Sequence, residues 1–140
     1  MQITRQADYA IRAVRYLAKQ GPNERAATST VAKEMKIPPS FLAKIISQLS
    51  IAGLLHTSRG ARGGVTLARD AKDISLLDVV EAIDGPILLN ECVGDPADCS
   101  FSDDCLVHPI WVEAQESLVK RLRESRFDQL AVKNKNLSEN

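Results

Sequence analysis

Apolar residues recur every three or four positions through most of this chain, and short runs of Gly, Pro, Asn and Asp interrupt them. Over residues 3–20 the positions Ala7, Ala10, Ile11, Val14, Leu17 and Ala18 share one face of a predicted helix, with Thr4 as its cap. Arg5, Arg12, Arg15 and Lys19 lie mostly elsewhere on it, and Gly21-Pro22-Asn23 breaks it. A second, short helix is predicted over 28–35, with Val31, Ala32 and Met35 inward. Lys36-Ile37-Pro38-Pro39 is a turn, since two consecutive prolines cannot sit inside a helix, and Pro39 suits a first helical position. A third helix over 40–52 buries Leu42, Ile45, Ile46 and Leu49, and its other face carries Ser40, Ala43, Lys44, Ser47 and Gln48. Gly53 ends it.

The pattern then changes period. Leu54–Ser58 and Val65–Leu67 read as strands of a hairpin whose tip is Arg59-Gly-Ala-Arg62-Gly-Gly64. Residues 74–85 predict a further helix with Ser75 as cap, Asp78 three residues on, and Leu76, Val79, Val80 and Ile83 inward. Residues 87–104 have no period and read as a loop, long enough to require a function or an organising ligand. A long amphipathic helix follows over 109–125, with the stripe Trp111, Ala114, Leu118 and Leu122 flanked by Gln115 and Val119. A chain this small has little left to cover that stripe, so pairing with a second copy is expected. Phe127 and Leu130 dock a last short turn, and the chain from 131 to 140 reads as a flexible polar tail.

Two short helices joined by a tight turn suggest a helix-turn-helix, with the later helix entering the major groove of DNA. Helix pairs alone also suit any small helical core. The basic hairpin shifts the balance: glycines allow close approach of the backbone, and two arginines at the tip can meet phosphates or a narrow minor groove. The predicted fold is therefore mainly α with a small β-hairpin wing, a winged helix-turn-helix followed by a long C-terminal dimerisation helix. Ser40, Lys44 and Gln48 are the expected base-edge contacts, Arg59 and Arg62 the wing contacts, and Thr28, Ser29 and Lys33 the phosphate-side contacts.

Charge supports this division. The net charge is zero, but residues 1–73 carry twelve Lys+Arg against five Asp+Glu, and residues 74–140 carry six against thirteen. A half at +7 suits a polyanion, and a half at −7 has another task. No apolar run approaches a membrane span and the first residues lack an apolar signal core, so a cytoplasmic protein is expected.

All three cysteines lie in one window, Cys92, Cys99 and Cys105, with His108 close behind. An odd number of thiols in a reducing compartment argues for metal or redox chemistry over disulfides. Structural zinc sites bring cysteines in close C-x₂₋₄-C pairs, and the spacings here are wider. Iron–sulfur clusters accept thiolates from looser loops, with His able to replace Cys. Unrelated free cysteines explain one thiol better than three together. Asp95, Asp98, Asp103 and Asp104 read as solvating charges. His56 and His108 stand in no nucleophile–base arrangement, so an enzyme is not expected.

At this point the residues resemble a known family. Met-Gln-Ile-Thr…Asp-Tyr-Ala-Ile-Arg-Ala at the start, Pro-Ser-Phe-Leu-Ala-Lys-Ile-Ile-Ser-Gln-Leu, the run from Leu54 to Ala68, and Cys…Cys…Cys-Leu-Val-His-Pro-Ile-Trp are similar to the Rrf family of bacterial regulators, which includes IscR, NsrR and RirA. The resemblance covers residues 1 to about 130 and implies a homodimeric winged-helix transcription factor whose cluster tunes its binding to a palindromic operator in double-stranded DNA. It implies Cys92, Cys99, Cys105 and a fourth ligand. His108 suits a 2Fe–2S cluster, as in IscR; Asp8, reached from the partner chain, suits a 4Fe–4S cluster, as in some NsrR proteins. The chain departs from IscR in having one more residue between its first two thiols, and Ala43 where IscR has glutamate, so site preference does not carry over. His108 precedes Pro109, which biases it away from helical geometry and makes it a candidate capping residue.

The expected organisation is a DNA-binding domain over 1–85, a cluster-binding loop over 86–108, and a dimerisation helix with a short C-terminal element over 109–130. The expected function is a regulator whose affinity for DNA follows the state of an iron–sulfur cluster, 2Fe–2S in preference to 4Fe–4S, sensing redox state, iron or nitric oxide. Two alternatives are a cluster-free repressor controlled by a partner protein and a small electron-transfer protein.

Overall fold

The structure, a computed structural model, describes residues 2–61, 63–95 and 104–131. The first helix, α1 (Arg5–Gln20), starts where Thr4 accepts a hydrogen bond from the Ala7 N–H. Ala7, Ala10, Ala13, Val14 and Leu17 are buried along it, and the small side chains let α1 lie close to its neighbours. Helix α2 (Thr28–Met35) ends at Lys36 in the left-handed conformation, and Ile37 N–H returns to the Ala32 carbonyl. Helix α3 (Pro39–Ile51) begins with proline at its first position and buries Leu42, Ile45, Ile46 and Leu49.

Strands β1 (Leu55–Ser58) and β2 (Gly64–Leu67) pair antiparallel, Leu55 opposite Leu67 and Ser58 opposite Gly64. A third edge joins them: Ala26 bridges Val65 through two backbone hydrogen bonds. The segment between α1 and α2 thus adds a one-residue bridge to the outer edge of the wing, a feature without a period of its own in the sequence.

Helix α4 (Leu76–Asp84) opens with a full capping box between Ser75 and Asp78. The expected loop is not uniform. Asn90 caps a one-turn helix, α5 (Glu91–Gly94), which carries Cys92; the stretch 87–104, expected to be loop throughout, therefore contains a helical turn, too short to show a period. Helix α6 (His108–Glu124) has Val107 as its cap. His108 therefore lies inside the helix, and the capping role expected from Pro109 is corrected: Pro109 occupies one of the first two helical positions, where its missing N–H costs nothing. A last turn, α7 (Phe127–Leu130), follows.

One core cluster joins α1, α2, α3, the wing and α4, with Phe127 fully buried in it. The backbones of Ile74 and Phe127 are hydrogen-bonded, and Arg15 Nε donates to the Leu130 carbonyl at 2.9 Å. A second, smaller cluster joins Leu77, Val80 and Ile87 to Ile11, Leu118, Val119 and Leu122. Leu118 and Leu122 are therefore half-covered by their own chain, which corrects the expectation that little was left to cover the stripe. The sequence reading missed Leu77 and Ile87, which do the covering.

Candidate functional site

The basic half presents α3 outward. Ser40, Lys44 and Ser47 are exposed on one side of it, opposite the buried row. Gln48 departs from the expectation of an open contact: it is half-buried, and its Oε1 is enclosed without a hydrogen-bond partner among the described residues. Thr28, Ser29 and Lys33 are exposed on α2, and Arg59 is exposed at the start of the hairpin tip. Arg62 lies outside the described residues. Gly63 is required at the tip because a Cβ there would collide with the Ser58 carbonyl oxygen.

The base of the recognition helix is tied to α1. The Tyr9 and Phe41 rings are 6.2 Å apart and tilted, and Arg12 lies 5.3 Å over Tyr9. Arg12 also pairs with Asp8 at 2.8 Å and reaches the Met35 carbonyl at the end of α2. Asp8, a candidate fourth ligand, is thus engaged with a cation one turn along its own helix.

In the acidic half, Cys105 and His108 flank the start of α6, and Cys92 lies on α5. Cys105 is half-buried three residues before His108. Cys92 is half-buried on α5, which packs against α6. The Leu89 N–H donates to Gln115 Oε1 at 2.9 Å, so the segment before Cys92 is bonded to α6 as well. Cys99 lies outside the described residues, as do Asp98 and Asp103. Among the described residues no three Cys, His, Asp or Glu side chains stand close enough together to hold a metal ion. His108 Nδ1 is buried and finds no hydrogen-bond partner among the described residues. Such an atom costs free energy unless something binds it, and thiols with an imidazole are the donor types that suit iron–sulfur chemistry, although Cys92, Cys105 and His108 are not gathered into one cluster here.

A helix-turn-helix whose second helix exposes Lys44, followed by a two-stranded antiparallel wing, defines a winged-helix DNA-binding regulator. The family model described as "Rrf2: Iron-dependent Transcriptional regulator" matches residues 3–133, and the chain belongs to that family. Protein aau3 of Rhizobium meliloti is 32% identical over 131 residues, 93% of this chain and 84% of that protein. The HTH-type transcriptional regulator IscR of Xenorhabdus nematophila is 29% identical over 134 residues, 96% of this chain and 80% of that protein. Among solved structures, CymR, the global cysteine regulator of B. subtilis, superposes with a TM-score of 0.77 at 23% identity, covering 94% of this chain and 96% of CymR. IscR of T. potens gives 0.71 at 20% identity, covering 99% and 96%. These two structures speak to the fold. The relatives are transcriptional regulators rather than enzymes, and no described helix is long and apolar enough to cross a membrane.

Proposed function

We propose that this DNA-binding regulator is controlled by an iron–sulfur cluster held by Cys92, Cys99 and Cys105, with His108 as the fourth ligand. The observation that carries the reading is the buried Nδ1 of His108, which has no hydrogen-bond partner among the described residues and lies three positions after Cys105. Asp8 is the second candidate, but here its carboxylate is spoken for by Arg12. A bound cluster, held by these thiolates, would supply reversible redox chemistry at its iron.

The chain's own residues connect that site to DNA. Leu118 and Leu122 press α6 on Leu77 and Val80 of α4, and Ile11 of α1 packs against the same cluster. Helix α4 packs on α1 and α3. A change in how α5 and the start of α6 are held is thereby passed through packed side chains to the recognition helix, the kind of two-state element a switch requires. A second copy meets the exposed apolar residues at the start of α6, and the two recognition helices read a palindromic operator.

Anaerobic purification with iron and acid-labile sulfide counting tests the reading. The wild type and Asp8→Ala are expected to be coloured and to hold iron and sulfide in equal amount. His108→Ala is expected to lose most of its iron or to show an altered spectrum. A colourless wild type that binds DNA normally would sink the cluster reading, and an unchanged spectrum in His108→Ala would remove His108 as ligand.

A further inference from the structure

We propose that Gln115 is a positioning residue for the thiolate site, fixing where the segment bearing Cys92 sits along the helix bearing His108; the site itself rests on the function proposed above. Gln115 follows His108 by seven residues, two turns of α6, so both lie on one face about 10 Å apart along the axis. Its Oε1 accepts the Leu89 N–H at 2.9 Å. Leu89 lies between α4 and α5, in a stretch with neither helix nor strand. A half-buried amide there has to find an acceptor, and the side chain of Gln115 provides it across 26 positions of sequence.

The other supports of this segment act around that bond. Ile87 is buried in the small cluster against α4 and α6. Asn90 Oδ1 accepts the Glu91 N–H and starts the turn that bears Cys92. Gly94 passes under Leu88 so closely that a Cβ would come within 3.1 Å of Leu88 Cδ1. Ile87 is a greasy anchor without direction, whereas the Leu89–Gln115 bond fixes register along α6. Cys92 comes three residues later, one turn on. Ligands bind a multi-thiolate site well only when their supports hold them in place beforehand. Packing alone would be served as well by Leu or Met at 115, since its neighbours in the stripe are apolar, but only an acceptor holds the Leu89 amide.

The test uses the full-length protein freed of metal, in wild-type, Gln115→Glu and Gln115→Leu forms. Alkylation rates of Cys92 and Cys105 are read separately by mass spectrometry, and exchange of the Leu89 amide by NMR. In Gln115→Leu, Cys92 alkylation and Leu89 exchange are expected to rise about five- to tenfold, the scale of one net hydrogen bond on a local opening. Cys105 is expected to keep its rate, and Gln115→Glu, which retains an acceptor, is expected to match the wild type. Unchanged Cys92 rates in Gln115→Leu overturn the proposal. So does equal acceleration of both cysteines, which marks general loosening, or a Gln115→Glu that behaves like Gln115→Leu. In wild type reloaded with iron and sulfide, a chelator is expected to strip iron more slowly than from Gln115→Leu. If the wild type takes up no iron and sulfide, the cluster reading fails while the alkylation rates still decide whether Gln115 places Cys92.

Discussion

Lys44 stands exposed on α3 among short neighbours, Ser40, Ala43 and Ser47. A four-carbon stem with a mobile ammonium on such a floor reaches farther into a groove than anything beside it. Ala43 gives it no polar companion, and the half-buried Gln48 must turn its amide outward before it can touch a base. Lys44 is therefore the expected principal base contact of α3. Lys44→Ala is expected to weaken operator binding by about 1–3 kcal/mol, unevenly across single-base operator variants. Fluorescence anisotropy against a panel of such variants measures this. A loss of equal size on every sequence, with a shallower salt slope, would place Lys44 on phosphate instead. His108 is the comparable residue of the acidic half: its Nδ1 is buried and has no hydrogen-bond partner among the described residues.

At the scale of elements, the wing's outer edge carries a backbone bridge that the hydrophobic pattern did not announce. Ala26 pairs with Val65 on the outer edge of the hairpin. Gly64 makes this possible, because a Cβ there would strike the Ala26 carbonyl oxygen and lie 3.1 Å from the Arg25 side chain. Gly64→Ala is expected to push the Ala26 segment off the sheet and to cost about 1–3 kcal/mol, as overpacking does. Urea unfolding gives the loss, and amide exchange at Val65 shows where it falls. The contrast with the helices is physical. Helices α1 to α4 were legible because each buries a stripe of period 3.6 and starts or stops on a residue with a mechanism: Thr4, Pro39, Gly53, Ser75 with Asp78. A single bridged residue such as Ala26 has no period. Nor has α5, whose one turn is announced only by Asn90 before Glu91. The candidate ligands were legible as residue types in a window, whereas the bond of Gln115 was not, because it reaches a backbone amide 26 residues away.

For the whole molecule, the question is what the front of α6 meets. The rear half is settled within the chain, where Leu118 and Leu122 rest on α4. At the front, Leu106 is 89% exposed, Ile110 61% and Trp111 38%, with Val107 also open and Ala114 exposed one turn on. An apolar surface of this kind on a DNA-binding chain is the expected seam of a two-fold dimer, where the same patch meets itself. The expected interface thus moves toward Leu106, Val107, Ile110 and Trp111, while Leu118 and Leu122 pack against Leu77 and Val80 of α4. Ile110→Glu separates the two roles. Ile110 belongs to neither core cluster, so the monomer is expected to keep its thermal midpoint, but two carboxylates facing each other across a two-fold axis repel. Sedimentation is expected to show a dimer for the wild type and a monomer for Ile110→Glu at the same concentration. Operator binding is expected to fall far more than non-specific binding does. A palindromic site read by one half-site loses the second set of base contacts, whereas phosphate attraction by the basic half survives in each chain. An Ile110→Glu protein that remains dimeric would move the seam back to the Leu118–Leu122 end of the helix.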